Sequence, residues 1–251
     1  MAVDSAGRVI LFHRGEPALV RLRLDGTLDK AWGTGFIMAH GIKIAPDGNI
    51  WVTDAKKMVI IKYSPDGQEL LTIGTPGKNG NDRTHFDGVA DIAFQPNGDF
   101  YVGDGYQNTR VIKFDKNGKY LFEWGKKGTG PGEFVLPHAV VLDSQGRVYV
   151  GDRSNKRIQI FTPEGKYITE WHTGSPYGLA ISPSGDLWMA DALTNKVSRI
   201  DRQGKVVEWF SPPDDGGGIA NGGPHLISFG LDGSMYIASP SRGFVWKFAK
   251  R

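Results

Sequence analysis

The sequence predicts an all-β fold, a six-bladed β-propeller, and three observations carry that reading. A turn dipeptide ending in glycine recurs at Ala6-Gly7, Asp47-Gly48, Asn97-Gly98, Gln145-Gly146, Ser184-Gly185 and Asp232-Gly233. Its glycines are 41, 50, 48, 39 and 48 residues apart, and periods of this size belong to solenoids, propellers or arrays. The text between turns consists of short β-branched or alternating runs with no helical period. Thirty-five Gly and 14 Pro in 251 residues favour tight turns over helices.

The units follow in order as residues 1–37, 38–77, 86–126, 136–173, 175–212 and 223–251, in one domain. The first has only Met1–Ser5 for its innermost strand. The third shows the pattern in full: Asp91-Ile92-Ala93-Phe94, turn, Phe100-Tyr101-Val102-Gly103-Asp104, then Arg110-Val111-Ile112-Lys113-Phe114. A second turn, Asn117-Gly118, leads to Tyr120-Leu121-Phe122-Glu123-Trp124. Four strands per unit, six times over, is propeller architecture. Each turn glycine is expected at φ > 0 in a two-residue hairpin. Asp54, Asp104, Asp152 and Asp191 close the second strands and are expected to accept hydrogen bonds from the following turn. Trp51, Trp124, Trp171 and Trp188 fall at strand positions and read as core. The last unit offers Leu226–Gly230, Ser234–Ala238 and Phe244–Phe248, so a three-stranded sixth blade is expected, its edge charged or open to edge-to-edge self-association.

Composition narrows the function. Cysteine is absent, which removes thiolate ligands and thiol nucleophiles and leaves the redox compartment open. A net charge of +3 gives no case for nucleic acid or a membrane surface as partner. No apolar run approaches the roughly 20 residues of a membrane-spanning helix. The opening residues lack a signal-peptide pattern, so the chain as given reads as cytoplasmic, or as exported from a longer precursor.

One slot of the repeat carries chemistry. Seven residues before the residue that precedes each turn glycine stand His40, Ala90, His138, Tyr177 and His225; the first unit begins too late to have one. Histidine in every second unit would aim three imidazoles at one centre, the donor set of a catalytic zinc with a free position. Another divalent transition metal suits the same ligands. Calcium is not expected, because the slot holds no carboxylates. Six residues after each turn glycine, units one and four place His13-Arg14 and Asp152-Arg153, where the others have Asp-Ala, Asp-Gly or Ser-Pro. Arg14 and Arg153 would form a planar clamp for a carboxylate or phosphate. Tyr106 follows Gly105; its phenol, near pKa 10 when unperturbed, would become a base if zinc and arginines favoured phenolate. His85 and His172 fall outside the slot and read as loop residues.

The wording of the units, such as Gly130-Pro131-Gly132-Glu133-Phe134 and Asp152-Arg153-Ser154-Asn155-Lys156-Arg157-Ile158, resembles NHL repeats. More specifically, Phe12-His13-Arg14-Gly15, His40-Gly41, Asp104-Gly105-Tyr106-Gln107-Asn108, Leu136-Pro137-His138, Asp152-Arg153 and Pro224-His225 resemble the peptidyl-α-hydroxyglycine α-amidating lyases. That resemblance spans the chain. It implies zinc on His40, His138 and His225, Tyr106 as base, and cleavage of a carbinolamide to an amide and glyoxylate. It implies Arg14 on the carboxylate of a small-molecule or peptide substrate, and Arg153 orienting tyrosine or substrate. The chain departs from the family at Leu226, where an aspartate often helps to hold calcium. It departs again at Gly223, where a methionine is usual; with glycines at 216–218 and 222, a roomier loop is expected. Two other functions fit the same residues: a metal-dependent hydrolase of esters, lactones or phosphotriesters, and a non-catalytic interaction scaffold.

Overall fold

A computed structural model describes residues 1–213, 222–240 and 243–249. The described residues form 23 strands and no helix. They are arranged as a six-bladed β-propeller, five four-stranded sheets and one of three strands. The chain divides into two compact units, Met1–Lys127 and Gly128–Arg251.

In the first unit, blade 1 is β1 (Ala2–Val3), β2 (Val9–Phe12), β3 (Leu19–Leu22) and β4 (Leu28–Trp32). Blade 2 is β5 (Ala39–Ile44), β6 (Ile50–Asp54), β7 (Val59–Tyr63) and β8 (Glu69–Ile73). Blade 3 is β9 (Val89–Phe94), β10 (Phe100–Asp104), β11 (Arg110–Phe114) and β12 (Tyr120–Trp124). In the second unit, blade 4 is β13 (Pro137–Leu142), β14 (Val148–Asp152), β15 (Arg157–Phe161) and β16 (Tyr167–Trp171). Blade 5 is β17 (Gly178–Ile181), β18 (Leu187–Asp191), β19 (Lys196–Ile200) and β20 (Val206–Phe210). Blade 6 is β21 (Leu226–Phe229), β22 (Met235–Ser239) and β23 (Phe244–Phe248), the expected three strands among the described residues. Its outer strand, β23, carries one charged residue, Lys247.

Neighbouring strands are antiparallel throughout. The inner strands read as continuous apolar runs because both faces are covered; β6, β10 and β14 are buried at every residue. Within the first unit, Trp51, Phe86, Phe100, Phe114 and Ile60 close the core of blades 2 and 3. Within the second, Ile158, Ile160, Leu179 and Met189 do so for blades 4 and 5. Each such side chain contributes roughly 1.5–3 kcal/mol on burial. The tryptophans divide: Trp51 is fully buried, while Trp171 and Trp188 pack only partly against their clusters.

The turn glycines have positive φ, from 77° at Gly146 to 91° at Gly98, but the turns are not two-residue hairpins. Ala45 N bonds Asn49 O while Gly48 N bonds Ala45 O, which encloses Pro46, Asp47 and Gly48. The same pair of bonds recurs from Asp4, Gln95, Asp143, Ser182 and Gly230. A primed two-residue turn needs positive φ before the glycine or at the first central position, and Asp47, Asn97 and Gln145 do not have it. A three-residue loop, type I turn then left-handed glycine, lets proline and aspartate keep their ordinary backbone and leaves strain-free φ > 0 to Gly alone.

The strand-closing aspartates act much as expected, and over a longer range. Asp54 accepts from Lys56 N and Lys57 N in the following turn, and also from Ile37 N and Met38 N in the segment entering the blade. Asp191 likewise takes Leu193 N and Thr194 N, with Ser175 N from the entering segment. In blade 4, Asp152 takes Val135 N, Leu136 N and the side chains of Asn155 and Arg157. Arg157, 2% exposed, reaches onward to Glu170 and to the carbonyls of Thr129, Gly130 and Glu133. Arg110 repeats this in blade 3, joining Asp104, Glu123 and the His85 carbonyl. Burial holds the Asp104 carboxyl above its ordinary range even though Asn108 and Arg110 donate to it.

Candidate metal centre

His40 is the second residue of β5, where pairing with β6 loses register. Ala39 faces Asp54 and Ile42 faces Val52, so His40 and Gly41 together oppose Thr53. A bulge of this kind re-aims a side chain out of the pleat. The ring is buried, with Nδ1 2.7 Å from the Ala90 carbonyl. A carbonyl can only accept, so Nδ1 carries the hydrogen and the lone pair of the neutral ring sits on Nε2. Nε2 lies 2.8 Å from the Tyr106 hydroxyl, which therefore donates to it. The two rings meet edge to face at 5.3 Å.

Close backbone approach makes this arrangement feasible. Gly41 N donates to Thr53 Oγ1, which donates to the Ala90 carbonyl. A Cβ on Gly41 would stand 2.8 Å from that carbonyl. Tyr106 N and Gly105 N both donate to the Gly88 carbonyl. Gly88 has φ +99°, and a Cβ there would lie 2.3 Å from the Tyr106 Cβ, so the phenol owes its place to an absent side chain. Arg14 sits on the loop after β2, exposed and without an ion pair among the described residues. In the same loop, His13 Nδ1 accepts from Gly15 N.

The second unit repeats the motif. His138, the second residue of β13, is the extra residue where Pro137 pairs with Asp152 but Ala139 pairs with Gly151. It is fully buried, and its Nδ1 is 2.7 Å from the Tyr177 carbonyl. Each of these two histidines thus donates to the slot residue of the next blade, Ala90 or Tyr177, which fixes the tautomer a metal ligand needs. His225 lies just before β21, tied by its N–H to the Ala238 carbonyl. Its ring is 5.0 Å from that of His138 and 5.2 Å from that of Tyr177. A Cβ on Gly178 would fall 2.2 Å from the His225 carbonyl, so here too glycine permits the approach. The Arg153 guanidinium lies 4.5 Å over the Tyr177 ring, a cation–π contact. The repeat places Tyr177 in the slot, but its spacing alone assigns it no role.

One donor atom from each of His40, His138 and His225 lies within 4.8 Å of the others, a set that could hold a metal ion. His85 pairs with Asp82 and His172 with Glu170, both on loops as expected. Leu226 pairs with Ala238 in β21 and β22. The roomier loop expected at 216–218 lies outside the described residues. Beside it Gly223 is tightly packed, since a Cβ would meet the Ala192 carbonyl at 2.8 Å.

Residues 79–170 match a family described as a six-bladed β-propeller. Peptidyl-glycine α-amidating monooxygenase B of Xenopus laevis is 30% identical, aligned over 99% of this chain and 33% of its own length. Peptidyl-α-hydroxyglycine α-amidating lyase 1 of Drosophila melanogaster is 25% identical over 100% of the chain and 56% of its length. NHL repeat-containing protein 3 of Homo sapiens is 36% identical over 74% of the chain and 59% of its length. The chain therefore spans about a third to three-fifths of these relatives. Among solved structures, a streptogramin B lyase superposes with a TM-score of 0.72 at 19% identity, covering 96% of this chain and 89% of that one. At that identity the likeness is one of fold. These relatives bear out the resemblance read from the sequence.

Proposed function

We propose, from its kinship with the peptidyl-α-hydroxyglycine α-amidating lyases, that this protein is a zinc-dependent lyase cleaving the C–N bond of a carbinolamide. The observation that carries the reading is the gathering of His40, His138 and His225, with the Tyr106 hydroxyl on one of them. His40 and His138 each keep Nδ1 bonded to a backbone carbonyl, which leaves Nε2 of the neutral ring to suit zinc. When bound, zinc would supply Lewis acidity that lowers the pKa of the substrate hydroxyl.

The remaining chemistry falls to side chains. Tyr106, ionised as phenolate, would take the hydroxyl proton as the C–N bond breaks and pass it to the departing nitrogen, leaving a carbonyl product and a primary amide. Arg14, with no internal partner among the described residues, binds the substrate carboxylate through its planar fork. Arg153, stacked on Tyr177, stands beside the slot of blade 5 and orients the substrate from that side.

Two measurements test this. Purified protein should contain about one zinc per chain, lost in His138→Ala, and should release glyoxylate from an α-hydroxyglycyl peptide. Stoichiometric zinc with release of acid from esters, lactones or phosphotriesters, and no glyoxylate, would assign the site to a hydrolase. Protein without metal, indifferent to His40→Ala, would make it a scaffold.

A further inference from the structure

Blade 5 departs from blades 3 and 4 at one place on its outer half. In blades 3 and 4, the residue facing the strand-closing aspartate is a buried arginine, Arg110 or Arg157. Register fixes its counterpart in blade 5 as Lys196, opposite Asp191. The glutamates that bind those arginines, Glu123 and Glu170, stand opposite Ile112 and Gln159. Their counterpart, opposite Ser198, is Trp209.

The connection entering the blade differs as well. Blades 3 and 4 are entered through residues 74–88 and 125–136, which lay Phe86 and Phe134 into the core against Phe114 and Phe161. In blade 4 the carbonyls of Thr129, Gly130 and Glu133 in that connection are bound by Arg157. Blade 5 is entered through residues 172–177 alone, too few to lay such a segment down.

A cavity of about 480 Å³ is lined by Met189, Val206, Asp191, Ser198, Lys196 and Trp209, and Lys196 and Ser198 are the register counterparts of Arg157 and Gln159, which hold the blade 4 connection. Trp209 is 56% exposed. The Lys196 ammonium lies 4.3 Å over its ring and makes no ion pair or hydrogen bond among the described residues. A cation without an ion pair among the described residues, an exposed aromatic side chain and an apolar floor thus occupy a place that blades 3 and 4 fill with chain.

We infer that this groove on blade 5 binds a peptide segment in trans. The segment has a glycine-rich turn and one aromatic side chain, the chemistry of the connection that fills the equivalent place in blade 4. Lys196 donates to backbone carbonyls of the segment, as Arg157 does within the chain. Trp209 stacks on the glycine peptide planes, and the aromatic side chain enters over Met189 and Val206. The groove is independent of the histidines, so it holds whether or not the lyase reading does.

The probe is an acetylated and amidated peptide of the sequence of residues 128–135, Gly-Thr-Gly-Pro-Gly-Glu-Phe-Val, titrated into the full protein by calorimetry and by tryptophan fluorescence. The expected result is saturable binding, weakened at least tenfold by Lys196→Ala, by Trp209→Ala, and by replacing the peptide's phenylalanine with glycine. Both side chains lie at the surface, so unchanged circular dichroism should accompany the loss. A third variant, Ser198→Trp, fills the groove and should abolish binding. Absence of binding to the wild type at millimolar peptide, or binding indifferent to all three variants, overturns the inference.

Discussion

Replacing Tyr106 by phenylalanine separates two roles that the structure joins in one hydroxyl. The ring stays, and with it the edge-to-face contact with His40 at 5.3 Å. What is lost is the bond from the hydroxyl to His40 Nε2. The Ala90 carbonyl already takes the Nδ1 hydrogen, so Nε2 is the atom left for a metal. Zinc binding then requires the phenol to let go. A neutral hydrogen bond of this kind is worth about 0.5–1.5 kcal/mol net. Removing it should tighten zinc binding by up to roughly tenfold, since about 1.4 kcal/mol is a factor of ten. Turnover moves the other way, falling about 10²- to 10⁴-fold with loss of the base. Competition against a chromophoric chelator gives the first quantity. Glyoxylate release at matched zinc occupancy gives the second. Weaker zinc binding in the variant would refute the competition and make the phenol a ligand or a prop for His40. Unchanged turnover would remove Tyr106 from the chemistry.

Three further outcomes follow from the same geometry. Gly88→Ala puts a methyl group where the Tyr106 Cβ lies, at a backbone conformation unsuited to alanine; turnover should fall about 10²-fold, the scale of a 1 Å misplacement, with zinc stoichiometry intact. Arg157→Ala leaves the buried Asp152 carboxylate without the guanidinium that pairs with its charge and should cost about 3–5 kcal/mol in urea unfolding; a loss under about 1 kcal/mol would show the network to be dispensable. Burial, before any charge effect, pushes the phenols of Tyr63 and Tyr149 up to about 12. A phenol harder to ionise in the folded than in the unfolded chain stabilises fully below pH about 10, its unfolded pKa, and that contribution is lost as pH rises through about 12. Urea midpoints should therefore drop across that window, and drop less in Tyr63→Phe; identical slopes would refute the assignment.

The sequence made the repeat and the slot legible because both depend on counting. A glycine forced to φ > 0 recurs wherever a unit recurs, and His40, His138 and His225 keep a constant offset from it. It misjudged the turns because Asp47-Gly48 read alone matches a primed hairpin, whereas Pro46 before it favours the type I turn that the backbone takes. Bulges at His40 and His138 were invisible: they are a mismatch between two strands, and a single strand does not record its partner's count. Gly88 and Gly178 were equally silent, since each matters through an atom distant in sequence, the Tyr106 Cβ or the His225 carbonyl.

Blade 5 shows the same asymmetry from the other side. Lys196 and Trp209 stand in the sequence as two ordinary departures from a loose consensus. Register converts them into one event, because the arginine and the glutamate that they replace are partners across β15 and β16 in blade 4 and across β11 and β12 in blade 3. Replacing only the arginine would leave a glutamate facing an empty place, and replacing only the glutamate would leave a buried guanidinium short of its carboxylate. A change of both, together with the short connection 172–177, keeps the blade stable while exposing its flank. The repeat that brings the histidines into their slot is thus also the standard against which a missing segment can be recognised.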